Sequence, residues 1–178
     1  MTNSRKRILA AVVAAVILAA AAALYALRPP AVQAADFTLP ALSGETVRLS
    51  DYEGESPVVV TFWASWCPDC REELPAVYQV ASEYDEADVT FLMVNSTSGV
   101  KESREAAVAY LDRTGMDFQT VLFDEKGEAA EAYGLFFIPC TLLIDRNGTI
   151  IKRYDDIITE AELRREVESL LLRDRYFT

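Results

Sequence analysis

The sequence of 178 residues contains no histidine and only three cysteines. The lack of histidine excludes zinc sites of the Cys/His type, Ser-His and Cys-His catalysis, and the usual copper sites. The formal net charge of −11 argues against nucleic acid as a partner, because nucleic-acid binding needs a basic face. Three cysteines in a chain of this length do not make a disulfide scaffold. They leave one pair and one odd thiol to be explained.

An uninterrupted apolar, alanine-rich run covers residues 8–27. As a helix it would span roughly 30 Å, the thickness of bilayer hydrocarbon. Residues 5–7 are all basic, so the positive-inside rule predicts a cytoplasmic N-terminus over 1–7, a single transmembrane anchor over 8–27 and an extracytoplasmic remainder. The alternative is a cleaved signal peptide with a small-residue site at 32–34, although the apolar run exceeds a usual signal core. Either interpretation places the remainder outside the cytoplasm.

A proline-containing tether over 28–35 precedes residues 36–178, whose pattern predicts one α/β domain. A β-hairpin around Ser43-Gly44 comes first, and three strands then alternate with three helical stretches. The domain closes with a second hairpin, for which Asn147-Gly148 predicts a type I′ turn, and with an amphipathic helix. Parallel crossovers followed by an antiparallel hairpin predict a central mixed sheet flanked by helices.

Cys67 and Cys70 lie where an apolar, β-branched run over 57–63 gives way to helical spacing. A thiol at a helix start faces free backbone N–H groups and the positive end of the helix dipole, which both stabilise the thiolate that attacks disulfides. Three residues on, Cys70 returns to the same helix face and is placed to resolve a mixed disulfide. The alternatives are a permanent disulfide or half of a metal site, and no second cysteine pair exists to complete the latter. We interpret the pair as a redox-active centre.

Glu73 lies one helical turn after Cys70. A buried carboxylate at this position would have a raised pKa and would take and return the Cys70 proton. The alternative is a solvated carboxylate, like the neighbouring Glu72. Helical spacing favours Glu73 for facing Cys70.

The stretch 62–70, with Trp66-Cys67-Pro68-Asp69-Cys70 at its end, resembles the active-site segment of the thioredoxin superfamily. The chain is similar to the membrane-anchored TlpA/ResA-type thiol–disulfide oxidoreductases of that superfamily. The hairpin segment from residue 36, Glu73 before Leu-Pro, and the stretch 133–139 carry the resemblance. It implies a thioredoxin-like fold with an N-terminal β-hairpin and a helix–strand insertion over about 98–123.

The same resemblance implies a role for the stretch that ends at Pro139. This proline is expected to be cis and packed against the cysteine pair, with the backbone of Ile138 free to pair with an extended substrate segment. Trp66, together with Phe136 and Phe137, would form an apolar rim to this substrate groove. The alternative is that one or both phenylalanines belong to the core.

Two positions depart from the family pattern. Cys140 follows the proline where the branch usually has threonine, and Thr61 holds the place of a buried aspartate in plain thioredoxin. Proton handling therefore cannot be at Thr61, and Glu73 becomes the candidate. Strand alternation turns Cys140 away from the active site, as a buried thiol that behaves like a small hydrophobe. The alternative is a third redox thiol.

The sequence predicts an extracytoplasmic enzyme that reduces protein disulfides by dithiol/disulfide exchange at Cys67 and Cys70. Asp69 favours the reducing direction, because its negative charge disfavours thiolate and so stabilises the disulfide. No nucleotide or flavin motif is present, so we expect no cofactor and a membrane thiol carrier as electron donor. The resemblance implies apocytochrome c as a client in cytochrome c maturation. A copper metallochaperone and a thiol peroxidase are the alternative functions.

Overall fold

The computed structural model describes residues 3–26 and 31–177, which fall into two compact units, Met1–Ala31 and Val32–Thr178. The described residues of the first unit form the helix α1 (Asn3–Ala26). Over the described ranges, no helix combines the length and the apolarity that crossing a membrane requires. The predicted anchor over 8–27 stays a prediction, and its last residue, with the start of the tether, lies outside the described residues.

The second unit is the predicted α/β domain, built on a five-stranded mixed sheet. In chain order its elements are β1 (Thr38–Pro40), β2 (Thr46–Arg48), a 3-10 helix (Leu49–Tyr52), β3 (Val58–Trp63), α2 (Pro68–Ala81), β4 (Thr90–Asn95), α3 (Arg104–Thr114), β5 (Thr120–Phe123), α4 (Glu128–Ala132), β6 (Cys140–Ile144), β7 (Ile150–Tyr154) and α5 (Glu160–Phe177). The sheet order is β5-β4-β3-β6-β7. Strands β3, β4 and β5 run parallel, and β6 and β7 pair antiparallel, as predicted.

Every residue of β3 and β4 is buried, which explains why these strands read as continuous apolar runs rather than as alternating ones. Alternate side chains of β3 enter two separate cores. Trp63 joins the cluster formed with α2, α3 and α5 on one face of the sheet. Phe62 joins the cluster formed with the β1–β2 hairpin and α4 on the other face. The sheet therefore separates two hydrophobic cores, one on each of its faces.

The helix–strand insertion is present as α3 and the edge strand β5. Ser103 caps α3, because its Oγ accepts the N–H of Ala106 at 3.1 Å, and Gly115 ends the helix with a φ of 68°. The predicted N-terminal hairpin, β1 with β2, extends this edge, since the N–H of Leu42 donates to the carbonyl of Val121 at 2.8 Å.

The turn between β6 and β7 differs from the predicted type I′ turn. A type I′ turn needs positive φ at both central residues, and in this turn only Gly148 has one, at 74°. Asp145 is the reason: its Oδ1 accepts the N–H groups of Asn147 at 3.0 Å and Thr149 at 2.9 Å, which holds Asn147 at negative φ. The N–H of Asp145 donates to the Thr149 carbonyl and the N–H of Gly148 donates to the Asp145 carbonyl, both at 2.9 Å, which fits a three-residue loop with a bulge at the glycine.

This turn gives a test of stability. Asp145→Ala should lower the free energy of unfolding by about 1–2 kcal/mol, because two backbone donors lose a charged acceptor. Asn147→Ala should change it by less than about 0.5 kcal/mol, since Asn147 is exposed and needs no left-handed conformation. Denaturant unfolding of both variants measures the difference. A large loss of unfolding free energy in Asn147→Ala, with none in Asp145→Ala, would favour the type I′ turn instead.

Candidate active site

Cys67 lies at the N-terminus of α2, as predicted. It is the N-cap residue, and its sulfur accepts the backbone N–H of Cys70 at 3.3 Å. Pro68 occupies the first helical position, where a missing N–H costs no hydrogen bond. The strand-to-helix junction thus places the Cys67 sulfur next to the backbone N–H groups in the first turn of α2, which have no partner within the helix.

The same sulfur contacts the backbone before Pro139. The Cys67 thiol donates to the carbonyl oxygen of Ile138 at 3.4 Å, and the Ile138–Pro139 peptide bond is cis, as the resemblance implied. Only 4% of Cys67 is exposed, so a substrate reaches it through the groove beside it and not across an open surface.

This substrate groove has a volume of about 410 Å³ and is mostly apolar. Trp66 and Asp69 line one side, and the stretch 135–138 lines the other. Phe136 and Phe137 are 90% and 76% exposed, and Trp66 is 42% exposed. The two phenylalanines therefore belong to the rim and not to the core, which decides between the two interpretations of the sequence.

Cys70 lies one turn into α2 and has no exposed surface. Burial is the main reason that the pKa of its thiol is raised, and a hydrogen bond with Cys67 and the charge of Glu73 add to the effect. All three cysteines are free thiols in this structure. A buried thiol of this kind reacts only after a base has removed its proton.

Glu73 is buried, with 1% of its surface exposed, whereas Glu72 faces solvent. Burial raises the Glu73 pKa to about 7, against the opposing effect of two hydrogen bonds that it accepts. Its Oε1 accepts from the Thr141 hydroxyl at 2.8 Å, and its Oε2 accepts from the Ile158 N–H at 3.4 Å. The structure thus selects Glu73 over its neighbour as the carboxylate on the inner face of α2.

Thr141 is a site residue that the sequence reasoning missed. It faces Thr61 across the β3–β6 pairing, and the two hydroxyls are 2.9 Å apart. Strand alternation carried the signal, because Thr141 follows Cys140 in β6 and therefore points to the opposite face of the sheet. Position 61 has a hydroxyl where plain thioredoxin has a carboxylate. The Thr141 hydroxyl connects this hydroxyl to the Glu73 carboxylate.

Cys140 faces the opposite side of the sheet from the cysteine pair, as predicted. It is fully buried in the cluster with Phe62 and Tyr133, and burial raises its pKa to about 12. The structure does not bring this thiol to the active site, which leaves Cys140 as a core residue.

Comparisons with known proteins agree with this geometry. Residues 30–153 match the family model described as the AhpC/TSA family. The chain is 33% identical over 137 residues to a thiol-disulfide oxidoreductase ResA of Geobacillus thermodenitrificans, covering 77% of this chain and 75% of that protein. It is 34% identical over 136 residues to the thioredoxin-like protein YneN of Bacillus subtilis, covering 76% and 77%.

Solved structures show the same similarity. A putative thiol:disulfide interchange protein DsbE from Chlorobium tepidum superposes with a TM-score of 0.70 at 32% identity, covering 80% of this chain and 98% of that one. StoA from Bacillus subtilis superposes with a TM-score of 0.65 at 25% identity, covering 76% and 98%. The chain therefore belongs to the AhpC/TSA family of thioredoxin-like proteins, and it is a thiol–disulfide oxidoreductase.

Proposed function

We propose that this chain reduces disulfide bonds of proteins outside the cytoplasm, with Cys67 as the attacking thiol and Cys70 as the resolving thiol. One observation carries the proposal: the Cys67 sulfur lies at a helix N-terminus, contacts the Ile138 carbonyl at 3.4 Å and lines an apolar groove. A polypeptide in extended conformation fits such a groove, because the Ile138 backbone offers pairing positions beside the sulfur.

The reaction consists of two exchanges. In the first, the Cys67 thiolate attacks one sulfur of the client, the client S–S bond breaks, and the departing client thiolate takes a proton from water. In the second, Cys70 loses its proton and attacks the Cys67 sulfur of the mixed disulfide. A Cys67–Cys70 disulfide forms, the second client thiol is released, and two electrons have passed to the client.

Glu73 is the proposed proton acceptor for Cys70. The thiol is buried and needs a base, and the Glu73 carboxylate has a pKa of about 7, which suits a group that takes and returns protons near neutral pH. The Thr141 hydroxyl and the Ile158 N–H hold the carboxylate in place. Glu73 therefore supplies the proton transfer that the second exchange requires.

The reducing direction is supported by Asp69. Asp69 is exposed and lies between the two cysteines in the sequence, in the first turn of α2, and a negative charge near a thiol disfavours its thiolate. A less stable thiolate leaves a more stable disulfide, which makes the dithiol the better electron donor. We expect a potential nearer to that of thioredoxin, about −270 mV, than to that of DsbA, about −120 mV.

The proposed location is the outer side of the cell membrane, with residues 8–27 as the transmembrane anchor and residues 28–35 as the tether to the domain. The support comes from the sequence: an apolar run of the length of a bilayer follows three basic residues at 5–7.

Electrons would come from a membrane thiol carrier, and apocytochrome c, before haem attachment, is the proposed client. The names of two similar proteins, a ResA and a putative DsbE, support thiol–disulfide exchange for this chain as well.

The proposed activity is tested by trapping. Cys70→Ser should accumulate mixed disulfides between Cys67 and client proteins, because the second exchange is blocked, whereas Cys67→Ser should trap none and should lose reduction of insulin disulfides. Cys140→Thr serves as the matched control and should keep full activity, since Cys140 lies across the sheet. Non-reducing electrophoresis and an insulin reduction assay give the readouts. Stoichiometric copper retention or peroxide turnover without disulfide reduction would replace the proposal by one of the alternatives.

Glu73→Gln tests the proton acceptor. In the wild type the second exchange should accelerate as pH rises through about 7, because Glu73 becomes able to accept a proton. The variant should lose this step in the pH profile and should be slower by about 10²-fold at pH 8, within the range of general base catalysis. Glu72→Gln, at the exposed neighbouring position, is the control. Client release from a preformed mixed disulfide measures the rate, and an unchanged profile would contradict the role.

The same variant has a stability signature with a defined sign. The pKa of Glu73 is higher in the folded state, about 7, than its ordinary value of 4.5, so its contribution to stability is present below pH 4.5 and is lost as pH rises through about 7. The shift corresponds to about 3 kcal/mol. Above pH 7, Glu73→Gln should therefore be more stable than the wild type by up to that amount, and the gain should vanish in acid. Denaturant unfolding at several pH values measures it.

The proposed topology is tested by labelling intact cells with a membrane-impermeant maleimide. In a chain whose own cysteines are replaced, Val100→Cys should be labelled, because Val100 is fully exposed on the domain and would lie outside the cell. Ser4→Cys, in the predicted cytoplasmic segment, should be labelled only after permeabilisation. Labelling of Val100→Cys only after permeabilisation would overturn the location, and loss of residue 4 from the mature chain would indicate a cleaved signal peptide.

A further inference from the structure

The turn that leads into Cys67 is held by charged side chains that the exchange reaction does not use. The turn runs from Ala64 to Cys67, whose N–H donates to the Ala64 carbonyl at 3.2 Å. Ser65 lies within it, and each of its polar groups has a charged partner. Its N–H donates to Glu102 Oε2 at 2.6 Å, its hydroxyl donates to Glu102 Oε1 at 3.0 Å, and its carbonyl accepts from Arg71 Nε at 2.5 Å.

Glu102 reaches this turn from a distant part of the chain. It lies in the loop between β4 and α3, 37 residues after Ser65, and both residues are buried, with exposed fractions of 6% and 8%. The preceding residue, Lys101, places its ammonium 5.1 Å from the centre of the Trp66 ring. One loop therefore contacts both residues that immediately precede Cys67.

We propose that Glu102 is a positioning residue, which fixes the Ala64–Cys67 turn and thereby holds the Cys67 sulfur in line with Cys70 and Ile138. The proposal rests on the proposed role of Cys67 as the attacking thiol. A carboxylate that accepts two bonds from one residue fixes the orientation of that residue and not only its distance. Arg71 holds the opposite end of the same residue, so the turn is fixed between two opposite charges.

Other features of the loop show that Glu102 is not needed to start α3. Ser103 already caps that helix through the N–H of Ala106. A buried carboxylate is costly to desolvate, and its hydrogen bonds here all go to the active-site turn. The Glu102 carboxylate therefore stabilises the Ala64–Cys67 turn and not the start of α3.

The chemical consequence concerns ring closure. When glutathione disulfide oxidises the pair, the Cys67 and Cys70 thiols are consumed, one intramolecular S–S bond forms, and two glutathione thiols are released. The equilibrium constant depends on how closely the two sulfurs are held for reaction. Loosening the turn gives the dithiol more freedom, so it disfavours the intramolecular disulfide as well as slowing attack on a client.

The experiment compares Glu102→Ala with Glu102→Gln and with Ser103→Ala, all in the full-length chain. Glu102→Ala should lower kcat/KM for insulin reduction about tenfold, with most of the loss in kcat, because misplaced reacting atoms slow the chemical step. It should also lower the equilibrium constant for oxidation by glutathione about tenfold, which corresponds to about 30 mV. Glu102→Gln should restore both values to within about threefold, since an amide still bonds to Ser65.

Ser103→Ala is the matched control, because it weakens the same loop and helix without touching the turn. It should lower the melting temperature and leave the glutathione equilibrium within about twofold. Equal shifts in Ser103→Ala and Glu102→Ala would show that Glu102 acts through stability alone and would overturn the proposal.

Ser65→Ala keeps the proposal testable should Glu102→Ala not fold. It removes only the hydroxyl bond to Glu102, and it should lower the equilibrium constant for oxidation by glutathione disulfide about threefold, because the turn keeps one of its two bonds to the carboxylate. An equilibrium constant unchanged from that of the wild type would contradict the proposal. The glutathione equilibrium reads the cysteine pair directly, so it remains informative even where insulin reduction, and with it the proposed function, fails.

Discussion

The pairing of β3 with both of its neighbours is the constraint on which the active site depends. β3 is parallel to β4 on one side and antiparallel to β6 on the other, with Phe62 opposite Cys140. The chain therefore leaves the end of β3 at the point where it enters β6. Residues 64–67 and 138–139 meet there as a result of the sheet, and α2 begins at the same place. A sulfur at a helix N-terminus and a backbone carbonyl beside it follow from this one topological fact.

Alternation along β6 then separates two functions. Thr141 faces the side of the sheet that holds the cysteine pair and Glu73, while Cys140 faces the opposite core. A cysteine fits position 140 on that face because a buried thiol packs as a small hydrophobe. The next residue supplies a hydroxyl on the active face, where it donates to the carboxylate. Adjacent positions in one strand thus have unrelated environments.

Local patterns predicted much of the fold and of the site. The strands β3 and β4, the strand–helix junction at the cysteines and the burial of Glu73 follow from neighbours within a few residues, and the structure confirms them. The roles of these side chains in the exchange stay predictions. The predicted type I′ turn between β6 and β7 was wrong because the Asp145 side chain accepts two backbone N–H groups and so fixes another conformation. The Asn-Gly pair alone does not show this effect. Glu102 was missed because its partner is 37 residues away. The exposure of Phe136 and Phe137 likewise depends on what packs above them and not on their own hydrophobicity.

The position of Cys140 has a consequence for the covalent states of the chain. Disulfides interchange only when one sulfur reaches another, and here a hydrogen-bonded sheet lies between Cys140 and the other two thiols. Scrambling among the cysteines of one folded molecule is thereby prevented without any need to remove the third thiol. Oxidation yields a single intramolecular product, and each reduced molecule donates one pair of electrons, which the Cys67 and Cys70 thiols carry.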